Sequence, residues 1–177
     1  MTTAREPAGQ LPFENFLTAQ KVKALYMQAP ISNLTVFAIA ALYYFMLRDR
    51  LDATLLAYWA LLMSAAASYR LLLWSWHRRH AATRSQRFWL HHYTAGSIMV
   101  GLSWSLVYLF LQDIHDVVVV VALLMLLFGV LSSSVAILSV HLPAFIGYAV
   151  PQAVMLAGSL LSQGVPELAF LTSALLL

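Results

Sequence analysis

Arg70 is the residue whose type and position most strongly suggest a specific chemistry, because it places a charge inside a long apolar stretch. It precedes Trp76, near the end of that stretch, by about 9 Å of helix. A guanidinium at this depth is costly unless its side chain reaches the lipid headgroups or meets polar partners inside the protein. Both outcomes are open: Arg70 extends to the headgroups, or it belongs to a polar site between helices.

Other polar side chains fall at a similar depth in neighbouring apolar stretches, and Gln152 lies about one turn deeper beside Pro151. The predicted ligand-binding residues are Arg70, Tyr93, Trp104, Ser133, Tyr148 and Gln152. In this hypothesis Trp104 caps the pocket, and Arg70 binds an anionic head group such as a fatty-acid carboxylate while apolar walls hold the tail. The alternatives are structural: Gln152 makes an interhelical hydrogen bond, and Trp104 fills the space left by its small neighbours.

The sequence contains no catalytic set and no metal-binding pattern. It has no cysteine, which excludes a thiolate nucleophile and a cysteine-ligated metal. His91 and His92 are adjacent, so their side chains point about 100° apart on a helix and cannot share one ion. No carboxylate lies deep in an apolar stretch, and no phosphate-binding loop is present. We therefore assign no catalytic residue, no metal ligand and no cofactor.

The composition, 62% hydrophobic and 10% charged residues, indicates an integral membrane protein, because 177 residues cannot bury so much apolar surface in a globule. The pattern predicts an all-α bundle of six transmembrane helices, with short links between antiparallel neighbours. Their predicted bounds are 31–47, 54–76, 88–111, 117–139, 143–162 and 166–177. The last stretch makes a helix of only about 20 Å, against the roughly 30 Å of the hydrocarbon core. We therefore expect this sixth helix to be truncated at its C-terminus and an output domain to follow it.

Residues 1–30 precede this transmembrane domain of residues 31–177 and lack the apolar core of a cleavable leader. Within them, segment 11–28 mixes aromatic and aliphatic residues with lysines and glutamines. This pattern predicts an amphipathic helix lying at the membrane interface, which Pro30 breaks before the first span begins. An irregular tether is the alternative for this segment.

Positive charges predict the orientation of the bundle. The second link contains four arginines, whereas the third link, residues 112–116, contains neither lysine nor arginine. The four arginines are Arg78, Arg79, Arg84 and Arg87. Short loops rich in lysine and arginine stay in the cytoplasm, so the N-terminus is predicted to be cytoplasmic. Because the basic residues cluster near span ends, they indicate topology, and no nucleic-acid partner is expected.

Short motifs from Gln20 onward carry a resemblance to a known group of proteins. They are Gln20-Lys-Val-Lys-Ala-Leu-Tyr-Met-Gln-Ala-Pro30, Trp59, Tyr69-Arg70, Arg87-Phe-Trp-Leu, Gly101-Leu-Ser-Trp104, Phe128-Gly129, His141-Leu-Pro-Ala-Phe145 and Tyr148-Ala-Val-Pro151. This set resembles the N-terminal multi-span membrane sensor domains of bacterial diguanylate cyclases, phosphodiesterases and sensor histidine kinases. The resemblance implies a homodimeric sensory and anchoring module in the bacterial inner membrane. It also implies signal relay through the sixth span to an enzyme of cyclic-di-GMP turnover or of a two-component system, and which enzyme follows is open.

The expected partners are the lipid bilayer and a small amphipathic or apolar ligand; a state of the membrane itself is an alternative stimulus. Two other functions fit the composition. A small transporter or channel subunit requires a continuous wet path across the bundle, and a membrane haem or metal redox subunit would show a characteristic absorbance.

Overall fold

The computed structural model describes residues 10–111 and 114–162, and every regular element in this part of the chain is helical. The helices are α1 (Gln10–Leu47), α2 (Ala53–His80), α3 (Gln86–Ser105), α4 (Val107–Phe110), α5 (Val117–Leu138) and α6 (Leu142–Ser162). Five segments, with α3 and α4 counted together, are long and apolar enough to cross a membrane. The all-α prediction of membrane-length helices is therefore confirmed for the described residues. The predicted sixth helix, 166–177, lies outside them.

The prediction that Pro30 breaks the first helix is wrong, because α1 continues through it. Proline removes one backbone hydrogen bond and crowds the preceding turn. Here, buried side chains on both sides of Pro30 hold the helix against the bundle: Leu25 and Tyr26 before it, and Val36 after it. The 38 residues of α1 extend for about 57 Å, nearly twice the thickness of the hydrocarbon core. Whether its first turns lie along a membrane surface stays a prediction.

The third predicted span, 88–111, is interrupted at Leu106, between α3 and α4. Just before the interruption, Ser103 and Ser105 donate their hydroxyl protons to the carbonyl oxygens of Met99 and Leu102, at 2.8 Å and 2.7 Å. Serine hydroxyls that bond to the preceding turn compete with the helical ladder and bend helices. Ser97 makes the same kind of bond, to the carbonyl oxygen of Tyr93, inside the continuous part of α3, so these bonds accompany the break and are not sufficient to cause it.

Helix α3 lies at the centre of the bundle and packs most extensively against α6. Two glycines make this contact possible. A Cβ atom added to Gly101 would lie 2.5 Å from the backbone oxygen of Tyr148, and one added to Gly147 would overlap the side chain of Ile98. Small residues therefore let these two helices approach closely.

The connections of the bundle lie at two opposite ends. Arg50, between α1 and α2, forms a 3.2 Å ion pair with Asp116, which precedes α5. Asp116 and Asp52 also cap their helices by accepting hydrogen bonds from the first free backbone N–H groups. The connections at 81–85 and 139–141 lie at the other end, because each membrane-length helix reverses the direction of the chain. This arrangement agrees with an up-and-down bundle.

Candidate functional site

A cavity of about 90 Å³ lies where α1, α2, α3, α5 and α6 meet. Its polar lining consists of Ser32, Thr35, Arg70, Trp104, Ser133, Ser134 and Tyr148. Aliphatic side chains of α1 and α5 complete the walls. Thr35 and Ser133 belong to the lining and are also exposed, so the cavity opens to the outside between α1 and α5.

Arg70 points into the bundle and is only 4% exposed. Its Nη2 donates to the hydroxyl of Tyr93 at 3.0 Å and makes a long contact of 3.5 Å with the hydroxyl of Ser32. The central carbon of the guanidinium also lies 5.2 Å from the ring centroid of Tyr93, within the range of a cation–π interaction. The alternative in which Arg70 extends to the lipid headgroups therefore does not describe this structure.

Arg70 has no carboxylate beside it among the described side chains. Among the residues whose side chains the structure describes, the acidic ones are Asp49, Asp52 and Asp116, in or beside the connections at the far end of the bundle. Helix α2 begins at Ala53, so this end lies about 25 Å along the helix from Arg70. A buried guanidinium that is compensated only by neutral groups retains a large desolvation cost. The site is thus electrically incomplete in the described residues.

Two buried N–H groups of the cavity-lining residues have no hydrogen-bond partner: the Nε–H of Arg70 and the Nε1–H of Trp104. The hydroxyls of Thr35, Ser133 and Ser134 donate to carbonyl oxygens of their own helices, so their oxygen atoms can only accept further hydrogen bonds. What the described residues leave uncompensated is therefore the charge of Arg70, and a negatively charged group would suit the site best.

Of the six predicted ligand-binding residues, the structure places four on the cavity wall: Arg70, Trp104, Ser133 and Tyr148. Tyr93 holds the guanidinium of Arg70 and does not line the cavity. Trp104 is a fully buried wall residue that packs against Tyr43 and Trp59 at centroid distances of 5.3 Å and 6.1 Å. Their role in ligand binding stays a prediction.

Gln152 lies behind this wall and does not line the cavity. It is fully buried, and its Nε2 donates to the backbone oxygen of Tyr148 at 3.1 Å, within its own helix. Its Oε1 has no hydrogen-bond partner. The structure therefore does not place Gln152 in the predicted pocket. It also does not show the alternative, an interhelical hydrogen bond, because Nε2 bonds within its own helix.

Sequence reasoning missed the contribution of α1 to the site. Ser32, Thr35 and Ile39 line the cavity from that helix. Their spacing of three and four residues is the signal that would have found them, since it places all three on one helix face. Asn33, also missed, is fully buried with both side-chain amide atoms unpartnered.

The histidines near the α2–α3 connection take part in aromatic packing. His77 stacks on Tyr26 with ring centroids 4.0 Å apart, and His92 Nδ1 lies 2.8 Å from the Tyr69 hydroxyl. Burial lowers the pKa of His141, between α5 and α6, and the nearby positive charges of Lys21 and His91 lower it further. Within residues 10–111 and 114–162, no three or more histidine and acidic side chains are grouped so that they could hold a metal ion.

The site thus combines a buried arginine without a carboxylate among the described side chains and an opening between α1 and α5. No family model, no curated protein and no solved structure matches this chain. Its function is therefore inferred from the geometry of this cavity.

Proposed function

We propose that this chain is the membrane sensory and anchoring module of a bacterial inner-membrane signalling protein. The observation that supports this proposal is the cavity beside Arg70, a charged site that opens between α1 and α5, where the bilayer would lie. Such a site is suited to a small amphipathic molecule dissolved in the membrane. The five membrane-length helices supply the anchor.

Signal relay requires two arrangements of the bundle that a ligand binds unequally. In the proposal, a ligand between α1 and α5 moves these helices relative to the α3–α6 pair. The displacement passes along α6 into a sixth span, 166–177, and from there to a cytoplasmic diguanylate cyclase, phosphodiesterase or histidine kinase. The module acts as a homodimer, because two output domains are brought together in such enzymes.

The coding sequence after Leu177 and the activity of the full-length protein test this function. We expect the reading frame to complete a sixth span and to continue into a cytoplasmic enzyme. The Arg70→Gln variant should then lose the ligand-dependent change in enzyme activity, while Arg79→Gln, an exposed arginine on the same helix, should keep it. A stop codon directly after Leu177, or identical responses of the two variants, would contradict the proposal.

The orientation in the proposal places the N-terminus in the cytoplasm. Because the chain has no cysteine, single cysteines can report on each end of the bundle. We expect an impermeant thiol reagent, added to cells from outside the inner membrane, to label Asp49→Cys and not Ala82→Cys. Both positions are exposed in the structure, so burial does not limit the reaction. The reverse labelling pattern would overturn the proposed orientation.

A further inference from the structure

We infer that the cavity beside Arg70 binds the carboxylate head of a single-chain amphiphile, which reaches it from the bilayer through the opening between α1 and α5. This inference rests on the proposed function and specifies the ligand of that site. Three observations carry it: the buried charge of Arg70 in the cavity wall, the volume of the cavity, and the exposed apolar side chains on the helices that form its opening.

The charge and the N–H groups of the cavity wall favour an anionic ligand. Arg70 is buried and lines the cavity, and neither its Nε–H nor the Nε1–H of Trp104, another wall residue, has a hydrogen-bond partner. A carboxylate at the guanidinium can accept hydrogen bonds from its N–H groups, and it neutralises the charge. A neutral alcohol leaves the charge uncompensated, and a quaternary ammonium group is repelled by it.

The volume of the cavity favours a ligand with a small head group. About 90 Å³ is less than the roughly 150 Å³ that holds a benzene molecule in an engineered protein cavity. A carboxylate with its first carbon atoms fits this space, whereas a dodecyl chain does not. The phosphodiester, glycerol and two chains of a membrane phospholipid are larger still. The tail of the ligand must therefore remain outside the cavity.

The opening provides a place for that tail. Thr35 and Ser133 are exposed at the edge of the cavity, on α1 and α5. On the same two helices, Ile31, Leu34 and Val135 are exposed apolar side chains, with exposed fractions of 75%, 72% and 47%. A hydrocarbon chain leaving the cavity would contact these side chains and then the lipid, so the amphiphile need not cross water to bind.

The inference is tested by measuring how much radiolabelled dodecanoate binds to the chain in phosphatidylcholine nanodiscs. The amount of label bound by empty nanodiscs is subtracted. We expect one dodecanoate per chain. Unlabelled dodecanol and dodecyltrimethylammonium, with the same chain length, should compete at least tenfold more weakly than unlabelled dodecanoate. Adding phosphatidylglycerol to the nanodiscs should not displace the label. Equal competition by the alcohol or the cation, or displacement by phosphatidylglycerol, would overturn a carboxylate site of this size.

Substitutions of Arg70 test whether the ligand binds in this cavity. Arg70→Gln should weaken dodecanoate binding at least tenfold and Arg70→Lys less, because lysine keeps the charge and loses the planar two-point contact. Arg79→Gln is the matched control and should bind as the unchanged protein does. If Arg70→Gln binds normally, the inference is wrong. If that variant does not fold, the competition series on the unchanged protein still decides.

The entry route between α1 and α5 is tested separately, by a substitution that fills the opening with a larger side chain. Ser133→Leu should weaken binding at least tenfold, while Ser132→Leu, an exposed neighbour that does not line the cavity, should leave it unchanged. Equal effects of the two variants would contradict binding through this opening. These measurements need no output domain. Absent binding therefore overturns the ligand assignment alone, whereas binding without any change in full-length enzyme activity overturns the proposed sensory function.

Discussion

Two pairs of helices in this bundle are packed in opposite ways. Where α3 meets α6, Gly101 brings the backbones so close that even a Cβ atom would overlap Tyr148. Where α1 meets α5, a cavity separates the helices, and serine and threonine side chains line it. Gly129 of α5 is exposed and does not line this cavity, and a Cβ atom added to it would have no neighbour within 4 Å. The first pair forms a close-packed frame, and the second pair forms a wall with free space.

This difference indicates where the bundle can change shape. In a membrane, apolar side chains gain little by leaving lipid, so dispersion contacts between closely approaching helices supply much of the stability. Moving α3 from α6 would lose many such contacts. Moving α1 from α5 would lose fewer dispersion contacts, because the cavity interrupts them, but it would also strain the hydrogen bond from the Tyr43 hydroxyl to the backbone oxygen of Leu123 and the Arg50–Asp116 ion pair. The proposed ligand at Arg70 would therefore act at the less closely packed of these two interfaces.

The largest effect on stability is expected at Gly101. Gly101→Val forces α3 and α6 apart and should lower the free energy of unfolding by about 3 kcal/mol or more, and Gly101→Ala by roughly 1–3 kcal/mol. Gly129→Ala is the control, and it should be neutral or gain about 0.5–1 kcal/mol from its better helix propensity. Thermal unfolding in nanodiscs, followed by circular dichroism, measures both. If the two alanine variants lose the same stability, the packing contrast is wrong.

A smaller effect of opposite sign is expected at Arg70. Because the guanidinium is buried without a carboxylate in the described residues, Arg70→Met removes a charge that binding uses and folding does not need. The variant should be more stable by about 1 kcal/mol and should lose dodecanoate binding. Arg79→Met, on the exposed side of the same helix, should change neither property. A strong loss of stability in Arg70→Met would mean that the arginine holds the bundle together.

A modest change in binding is expected at Gly96. A Cβ atom at this position would lie 2.8 Å from Cγ of Arg70, so Gly96→Ala should shift the guanidinium while keeping its charge. Dodecanoate binding should weaken roughly fivefold, or about 1 kcal/mol. The matched variant Gly158→Ala has no neighbour within 4 Å of the added atom and should bind normally. Unchanged binding by both variants would show that the position of the guanidinium is not critical.

The smallest effect is expected at His141. This residue lies between α5, which belongs to the α1–α5 wall, and α6, which belongs to the α3–α6 frame. Its pKa is lowered in the folded protein by burial and by nearby positive charge, so the unfolded chain binds the proton more readily. Stability should therefore fall as the pH drops below about 6.5, the usual pKa of histidine. His141→Gln should reduce this loss between pH 7.5 and 5.5 in thermal unfolding. An identical pH dependence in the variant would exclude His141 as its source.

Much of the fold and part of the site follow from the sequence. The lengths of the apolar stretches predict the membrane-length helices. The helical rise per residue predicts that Arg70, Ser133 and Tyr148 lie at the same depth in the membrane, and in the structure all three line one cavity. The same counting placed Gln152 one turn too deep for a cavity of about 90 Å³. Sequence alone gives depth along each helix, and it does not give the extent of the space between helices.

The remaining errors arise where tertiary contacts override a local signal. Pro30 predicts a break, yet buried neighbours on both sides carry α1 through it. If Pro30 broke the helix, Ser32 would stand at the very start of the first span and not at the depth of Arg70. Composition does not predict the interruption at Leu106, because Ser133 and Ser134 bond to the preceding turn of α5 as Ser103 and Ser105 do in α3, and α5 is not interrupted.

The central claim, that the α1–α5 wall adjusts while the α3–α6 frame stays fixed, is tested most directly by two distances in the same protein. Spin labels at Ala38 and Ala136 report on the wall, and labels at Leu102 and Val154 report on the frame; all four positions are exposed. Pulsed electron paramagnetic resonance should show a shift of about 1–2 Å in the first distance on adding dodecanoate, and no shift in the second. Equal shifts in both pairs, or no shift in either at saturating dodecanoate, would contradict the account.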